Sequence, residues 1–254
     1  MKTTGNTILI TGGGSGIGEA LAHRFHGLGN RVIIAGRRRE ALMRVAQGRE
    51  NIHFLEVDMD SPEGIAAFAQ EIVARFPGLN VLINNAGIMR TERLDRSRDL
   101  TDAEATITTN LLGPIRLTNA LIDHLLAQPD AVIVNATSGL AFVPLMSAPT
   151  YNASKAALHS YTVSLREALQ GRVEVIELVP PAVQTGLTPG QETRPGYQPL
   201  GEFIDEVMEQ FAIQPTPAEI LVKRAHFQRF AEAEGRMDAA LATLTGMAKK
   251  AFSL

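Results

Sequence analysis

The 254-residue chain carries 24 Lys and Arg against 27 Asp and Glu, a formal charge of −3, with 45% hydrophobic residues. This composition excludes wholesale disorder, and its slight acidic balance argues against a duplex-binding protein, which shows a basic excess or face. The chain has no cysteine, which excludes disulfides, thiolate metal sites and a cysteine nucleophile.

Met1 to Thr7 lacks the apolar stretch of a secretory leader, and no apolar run approaches the ~18 residues of a membrane span. The expectation is a soluble cytoplasmic protein with no membrane or nucleic-acid partner. Thr7 to Ile10 reads as a buried strand, followed by a glycine cluster and a helix to about Leu28, with Gly29 as its stop. Arg31 to Ala35 reads as the second strand, Glu40 to Gln47 as a short helix and Ile52 to Val57 as the third strand. Ser61-Pro62-Glu63 opens a helix, with Ser as N-cap and Pro at the first helical position. Val81 to Asn84 gives the fourth strand. Thr101-Asp102-Ala103-Glu104 has the form of a capping box and starts a helix reaching about Leu126. Ala131 to Asn135, a helix over Thr150 to Gln170, and Val173 to Val179 complete the repeating pattern.

Strands this continuously apolar belong in a parallel sheet covered on both faces. The predicted fold class is therefore α/β, a Rossmann-type doubly wound sheet of about six strands, as one domain over residues 1–254. Prolines at 180, 181, 189, 195 and 199 mark a long loop, extended to about 185–215 and expected to cover a substrate. Its Tyr197, Phe203 and Leu187 predict a partly apolar pocket. Thr216-Pro217-Ala218-Glu219 predicts a further helix cap, and the tail over 216–254 reads as helical.

The first strand runs into Thr11-Gly12-Gly13-Gly14-Ser15-Gly16-Ile17-Gly18. Glycines between a strand and a helix allow a tight turn and close backbone approach to a pyrophosphate, and the helix N-terminus attracts the phosphates. On its own such a run can be a flexible turn. Four further segments add to it: Asn84-Asn85-Ala86-Gly87, Asn110-Leu111-Leu112-Gly113, Ser138 after the fifth strand, and Tyr151-Asn152-Ala153-Ser154-Lys155. With these five segments in order, the chain resembles the short-chain dehydrogenase/reductase family over about residues 5–185.

Tyr151 and Lys155 are four apart on a predicted helix and share a face. A lysine ammonium there would lower the phenol pKa from its usual ~10, allowing proton exchange with a carbonyl or alcohol oxygen. Ser138 would hold the same oxygen. The resemblance makes Tyr151 the general acid/base, gives Lys155 and Tyr151 a place at the nicotinamide ribose, and assigns Asn110 to a water-linked proton relay. It also implies cofactor contacts from Gly12, Ser15, Gly16, Ile17 and Gly18, from Asp58 and Met59 at the adenine, from Asn85, Ala86 and Gly87, and from Val183 and Thr185 at the carboxamide.

An NAD enzyme usually offers a carboxylate after the second strand. Here Gly36 is followed by Arg37-Arg38-Arg39, so NADP(H) is expected through Arg37 and Arg38, with Arg39 open to a solvated role. Pro181 departs from the family's Pro-Gly, and no seventh strand is legible. Arg90, Arg93, Arg96 and Arg98 could attract an anionic or carrier-bound substrate, but they interleave with Glu92, Asp95 and Asp99, which favours a solvated loop. His23 and His26 lack a third ligand, so no metal is expected. The predicted function is NADP(H)-dependent interconversion of a carbonyl and an alcohol by a homodimer acting on a small molecule. The alternative is a catalytically silent dinucleotide-binding sensor or scaffold.

Overall fold

The structure, a computed structural model, describes the backbone of residues 1–252 and the side chains of 1–246. Seven strands form one wholly parallel sheet in the order β3-β2-β1-β4-β5-β6-β7. They are β1 Thr7–Thr11, β2 Arg31–Gly36, β3 Ile52–Glu56, β4 Leu79–Asn84, β5 Val132–Ala136, β6 Glu174–Leu178 and β7 Glu219–Ile220. The helices are α1 Gly16–Gly27, α2 Arg39–Ala46, α3 Pro62–Arg75, α4 Thr101–Ile107, α5 Gly113–Leu126, α6 Pro149–Ala168, α7 Leu200–Phe211, α8 Lys223–Arg229 and α9 Met237–Phe252. A π-helical segment, Thr108–Leu112, joins α4 to α5.

Strand side chains alternate between two cores, as their period of two requires. Ile8, Ile10, Val32 and Ile34 face a core closed by Phe25 of α1, Leu42 of α2 and Phe203 and Phe211 of α7. Leu9, Ile33, Leu82 and Ile133 face a second core with Ile65 and Ile72 of α3 and Leu117 and Leu121 of α5. Both faces are covered, which confirms the doubly wound reading.

Four expectations change. A seventh strand exists: Glu177 N–H donates to Ala218 O at 2.9 Å and Val179 N–H to Ile220 O at 3.1 Å. Backbone pairing at the sheet edge outcompetes the helix cap expected at Thr216, and Glu219 instead takes Arg229 in a two-pronged ion pair at 2.7 and 2.8 Å. The next helix starts only at Lys223. Second, the 185–215 segment contains α7, whose Phe203, Ile204, Val207 and Phe211 follow helical spacing into the core. Phe203 is therefore a core residue and not part of a substrate pocket. Third, Thr101 is the first helical residue; Asp99 accepts its N–H at 2.9 Å. Fourth, the charge-rich 90–99 loop is mostly exposed, as expected of a solvated loop, except that Glu92 is buried and ion-paired with Arg98. The tail expected to be helical is so only over Lys223–Arg229 and Met237–Phe252, and the last two residues of that prediction lie outside the described residues.

Candidate active site

β1 leads back to β2 on one side, whereas β4 leads on to β5 on the other, so the sheet's connections diverge between β1 and β4. Clefts form at the carboxyl ends of such strands. Thr11 ties the two ends together: its Oγ1 accepts the N–H groups of Asn85 and Ala86 at 3.0 Å each, and its carbonyl accepts Asn85 Nδ2 at 2.9 Å. Above it lies a cavity of about 460 Å³ running from Arg37 and Arg38 to Tyr151 and Lys155.

The glycine turn is shaped by close approach. Gly12 has φ +68° and a Cβ there would lie 2.9 Å from the Ala86 Cα. Gly16 has φ +57°, in the region that favours glycine. At Gly18 a Cβ would come within 2.5 Å of Gly12 O and 2.6 Å of Asn85 Nδ2, so Gly18 keeps the helix against the turn and does not line the cavity. Gly12, Ser15, Gly16 and Ile17 do line it. Ser15 makes no capping bond to α1; its Oγ accepts Arg38 Nη2 at 3.1 Å, and the helix's first N–H groups face the cavity uncapped by a side chain.

Arg37 and Arg38 line the cavity, Arg37 with only a long ion pair to Asp60 at 3.7 Å. Arg39 turns away onto Glu56 at 2.8 Å and over the Phe54 ring. Asp58 and Met59 form the next stretch of wall, then Asn85, Ala86 and Gly87, and Val183 and Thr185 close it from the opposite loop despite Pro181. Gln191, which no sequence motif marked, fixes that loop by donating to Val183 O at 2.8 Å and Thr185 Oγ1 at 3.2 Å.

At the other end, Tyr151 and Lys155 project from α6 and Ser138 from the end of β5, all buried. Lys155 Nζ donates to Ala136 O at 2.8 Å and lies 5.7 Å from the Tyr151 ring centroid. Burial pushes the Tyr151 phenol up to about 12 although a hydrogen bond from Ser138 pulls it down, and burial lowers Lys155 to about 8. The direction is opposite to the lowering expected from the lysine: desolvation dominates and outweighs the Ser138 bond, while the lysine ammonium is engaged by a backbone carbonyl. Asn110 sits in the π segment and does not line the cavity. Its Oδ1 accepts Ile88 N–H, and its Nδ2 donates to Ile88 O, at 2.8 Å each, and also to Ser154 Oγ at 3.2 Å. It clamps the loop segment that follows Gly87 to α6. Among the described residues there is no group of three potential metal ligands, and no helix long and apolar enough to cross a membrane.

The family model for short chain dehydrogenases matches residues 6–195. The chain belongs to the short-chain dehydrogenase/reductase family. Members are oxidoreductases acting on alcohol and carbonyl groups. The chain is 41% identical over 214 residues to the uncharacterized oxidoreductase DltE of Bacillus subtilis, covering 83% of this chain and 84% of that protein. It is 31% identical over 219 residues to 11-beta-hydroxysteroid dehydrogenase 1A of Arabidopsis thaliana, covering 84% of this chain but only 61% of that longer protein. Among solved structures, a short chain dehydrogenase from Burkholderia cenocepacia in complex with NADP superposes with a TM-score of 0.80 at 26% identity, covering 95% of this chain and 99% of that one. A 3-ketoacyl-(acyl-carrier-protein) reductase from Brucella melitensis complexed with NADH gives 0.69 at 29% identity, over 73% and 79%.

Proposed function

We propose that this oxidoreductase is NADP(H)-dependent and reduces a carbonyl to an alcohol, with Tyr151 as the general acid. The observation that carries this is the single cavity holding Arg37 and Arg38 at one end and Ser138, Tyr151 and Lys155 at the other. The residues fit a dinucleotide: close-packed glycines admit a pyrophosphate, and the N–H groups of α1 lack a side-chain cap. Gly36 offers no carboxylate to repel a 2′-phosphate, and two guanidiniums stand beside it. Cofactor contacts are assigned to Gly12, Ser15, Gly16, Ile17, Asp58, Met59, Asn85, Ala86, Gly87, Val183 and Thr185, with Gly18 supporting from behind.

Bound NADPH supplies the hydride. The chain supplies the proton and the geometry. A phenol near 12 keeps its proton throughout the neutral range, so Tyr151 is poised to donate to an oxygen gaining negative charge. Ser138, hydrogen-bonded to the same phenol, holds that oxygen. Lys155, half-ionised near pH 8, donates to the ribose and keeps positive charge beside the reacting oxygen. Asn110 contributes by position. We assign the enzyme to the cytoplasm, where NADPH is supplied, as a homodimer through α5 and α6, whose Leu126 and Val163 remain exposed.

The test is NADPH oxidation with a panel of ketones and aldehydes, for the wild type and Tyr151→Phe. Turnover by the wild type, reduced at least ~10²-fold in the variant with NADPH binding retained, is expected. NADPH binding without acceleration by any carbonyl would favour a dinucleotide sensor instead.

A further inference from the structure

α8 lies beyond residue 195, where the family match ends, yet it reaches back to the corner that carries Ser138. Ser138 is followed by a short helical turn, Gly139–Ala141, and that turn holds the serine: Leu140 N–H donates to Ser138 Oγ at 3.1 Å. The bond occupies a lone pair of the oxygen and leaves its proton for the Tyr151 phenol. Gly139 is in turn tied to the end of β6, its N–H donating to Pro180 O at 2.9 Å. The direction of the Ser138 hydroxyl therefore follows the placement of Gly139 and Leu140.

Gly139 lies outside the left-handed region, so its backbone does not require a glycine. Space does. A Cβ at Gly139 would lie 2.3 Å from Gln228 Oε1, 2.7 Å from its Cδ and 3.1 Å from its Nε2. The whole amide of Gln228, a buried residue of α8, thus sits in the volume that a side chain at 139 would fill. Among the described residues that amide makes no hydrogen bond, so it acts on the turn by contact. α8 is itself fastened there. Arg229, held by Glu219 of β7, lies over the Phe142 ring at 4.7 Å, and Ala231 and Ala240 form a small buried cluster with Val143. Phe142 N–H and Val143 N–H both donate to Gly139 O, at 3.1 and 3.2 Å, so these contacts grip the same turn.

We propose that Gln228 is a positioning residue for Ser138: packed on Gly139, it fixes the turn whose Leu140 N–H orients the serine hydroxyl toward Tyr151. The geometry stands without a substrate, whereas its consequence for turnover rests on the reductase reading.

The experiment combines substitutions at both positions with two readouts. Gln228→Ala removes the brace, Gly139→Ala evicts it with the added methyl, and Gln228→Met keeps a side chain of similar length without the amide. In Gln228→Ala, kcat for NADPH-dependent carbonyl reduction should fall roughly tenfold or more, as small misplacements of a catalytic group produce, with the Kd for NADPH unchanged. Gly139→Ala should show the same pattern. The double variant should be no worse than Gln228→Ala, since its methyl enters a space already vacated. Gln228→Met should stay within about twofold of the wild type, because it conserves volume. Losses that multiply in the double variant would overturn the proposal, as would an equal loss in Gln228→Met. So would a rise in the Kd for NADPH that matches the fall in kcat, which would make Gln228 a general structural residue.

The second readout needs no substrate. The chain has three tyrosines, so carbon NMR of protein isotope-labelled at tyrosine Cζ resolves Tyr151, assigned with Tyr151→Phe. Ser138→Ala marks the resonance of the phenol without its serine partner. Gln228→Ala should shift the signal toward that position, and Gln228→Met should leave it in place. A Tyr151 resonance unmoved in Gln228→Ala would overturn the proposal. A resonance that moves as expected in a protein reducing no carbonyl would keep the brace and remove the reductase reading instead.

Discussion

Glu92 grips Thr150, the residue immediately before Tyr151, at two atoms: Oε1 accepts its N–H at 3.0 Å and Oε2 its hydroxyl at 2.8 Å. Arg98 donates to the same carboxylate at 2.8 Å. A buried acid thus satisfies an orphan donor in the first turn of α6 and complements the positive end of its dipole. Burial alone would raise its pKa, but the bonds from Thr150 and Arg98 outweigh that and hold it low. Glu92→Ala should destabilise the fold by ~1–3 kcal/mol, and lower kcat more than it raises the Kd for NADPH, because the loss falls on the Tyr151 end. Urea melts and steady-state kinetics check both. The stabilisation is present above the ordinary carboxylate pKa of 4.5 and disappears as pH falls through the lowered native value.

Arg37→Ala should weaken NADPH binding by roughly 10-fold or more while leaving NADH unchanged, since a charge-assisted bond to a 2′-phosphate contributes ~1.5–3 kcal/mol. Arg38→Ala should also disturb Ser15, its partner at 3.1 Å, and so weaken both cofactors. Fluorescence titration with NADPH and NADH separates the two patterns. Equal losses of both cofactors in Arg37→Ala would remove the argument for NADP(H).

Lys155 is predicted to impose a pH dependence on cofactor affinity. Burial lowers it to about 8, so its ammonium persists below that pH and is lost above it. The Kd for NADPH should rise between pH 7 and 9.5 with a midpoint near 8, and the curve should flatten in Lys155→Met. A flat wild-type curve would show that the charge is not used in binding.

His159 and Glu177 form a second pH-sensitive pair beneath the site. His159 Nδ1 meets Glu177 Oε2 at 2.8 Å, and Thr137, beside Ser138, donates to the other oxygen at 2.6 Å. The hydrogen bond with Glu177 raises the His159 pKa, against partial burial and Arg229, with help from Glu219 on β7. A raised native pKa means the contribution is complete below 6.5 and fades as pH climbs through the native value. The stability gap between wild type and His159→Gln should therefore be larger at pH 6 than at pH 9 in urea titrations.

The sheet was readable because β1 to β6 are short, largely apolar runs between glycines and caps, Ser138 and the Gly12–Gly18 turn because they follow strand ends, and Tyr151 and Lys155 because a spacing of four puts them on one face of α6. β7 escaped because two residues carry no periodicity, and its Thr216 to Glu219 lead-in imitates a helix start. α7 was hidden by the prolines before it, although Phe203, Ile204, Val207 and Phe211 already had helical spacing. Glu92 looked like one more charge among Arg90 to Asp99; nothing local distinguishes a buried acid from a solvated one. The lysine beside Tyr151 is visible in the sequence, whereas the desolvation that raises the phenol depends on the whole fold.

The π segment at Thr108–Leu112 amounts to one residue more than a regular α-helix would hold. Each helical residue turns the chain by about 100°, so the extra one acts as a phase shifter between α4, which packs on α6, and α5, which packs on α3. Asn110 reaches Ile88 from inside that shift. Removing a single residue from 108–112 would restore regular geometry and swing either Asn110 or the whole of α5 off its partner. The stretch should thus accept substitutions yet refuse changes of length, whereas the exposed residues 93–97, outside the helix and clear of Glu92 and Arg98, should accept both more readily.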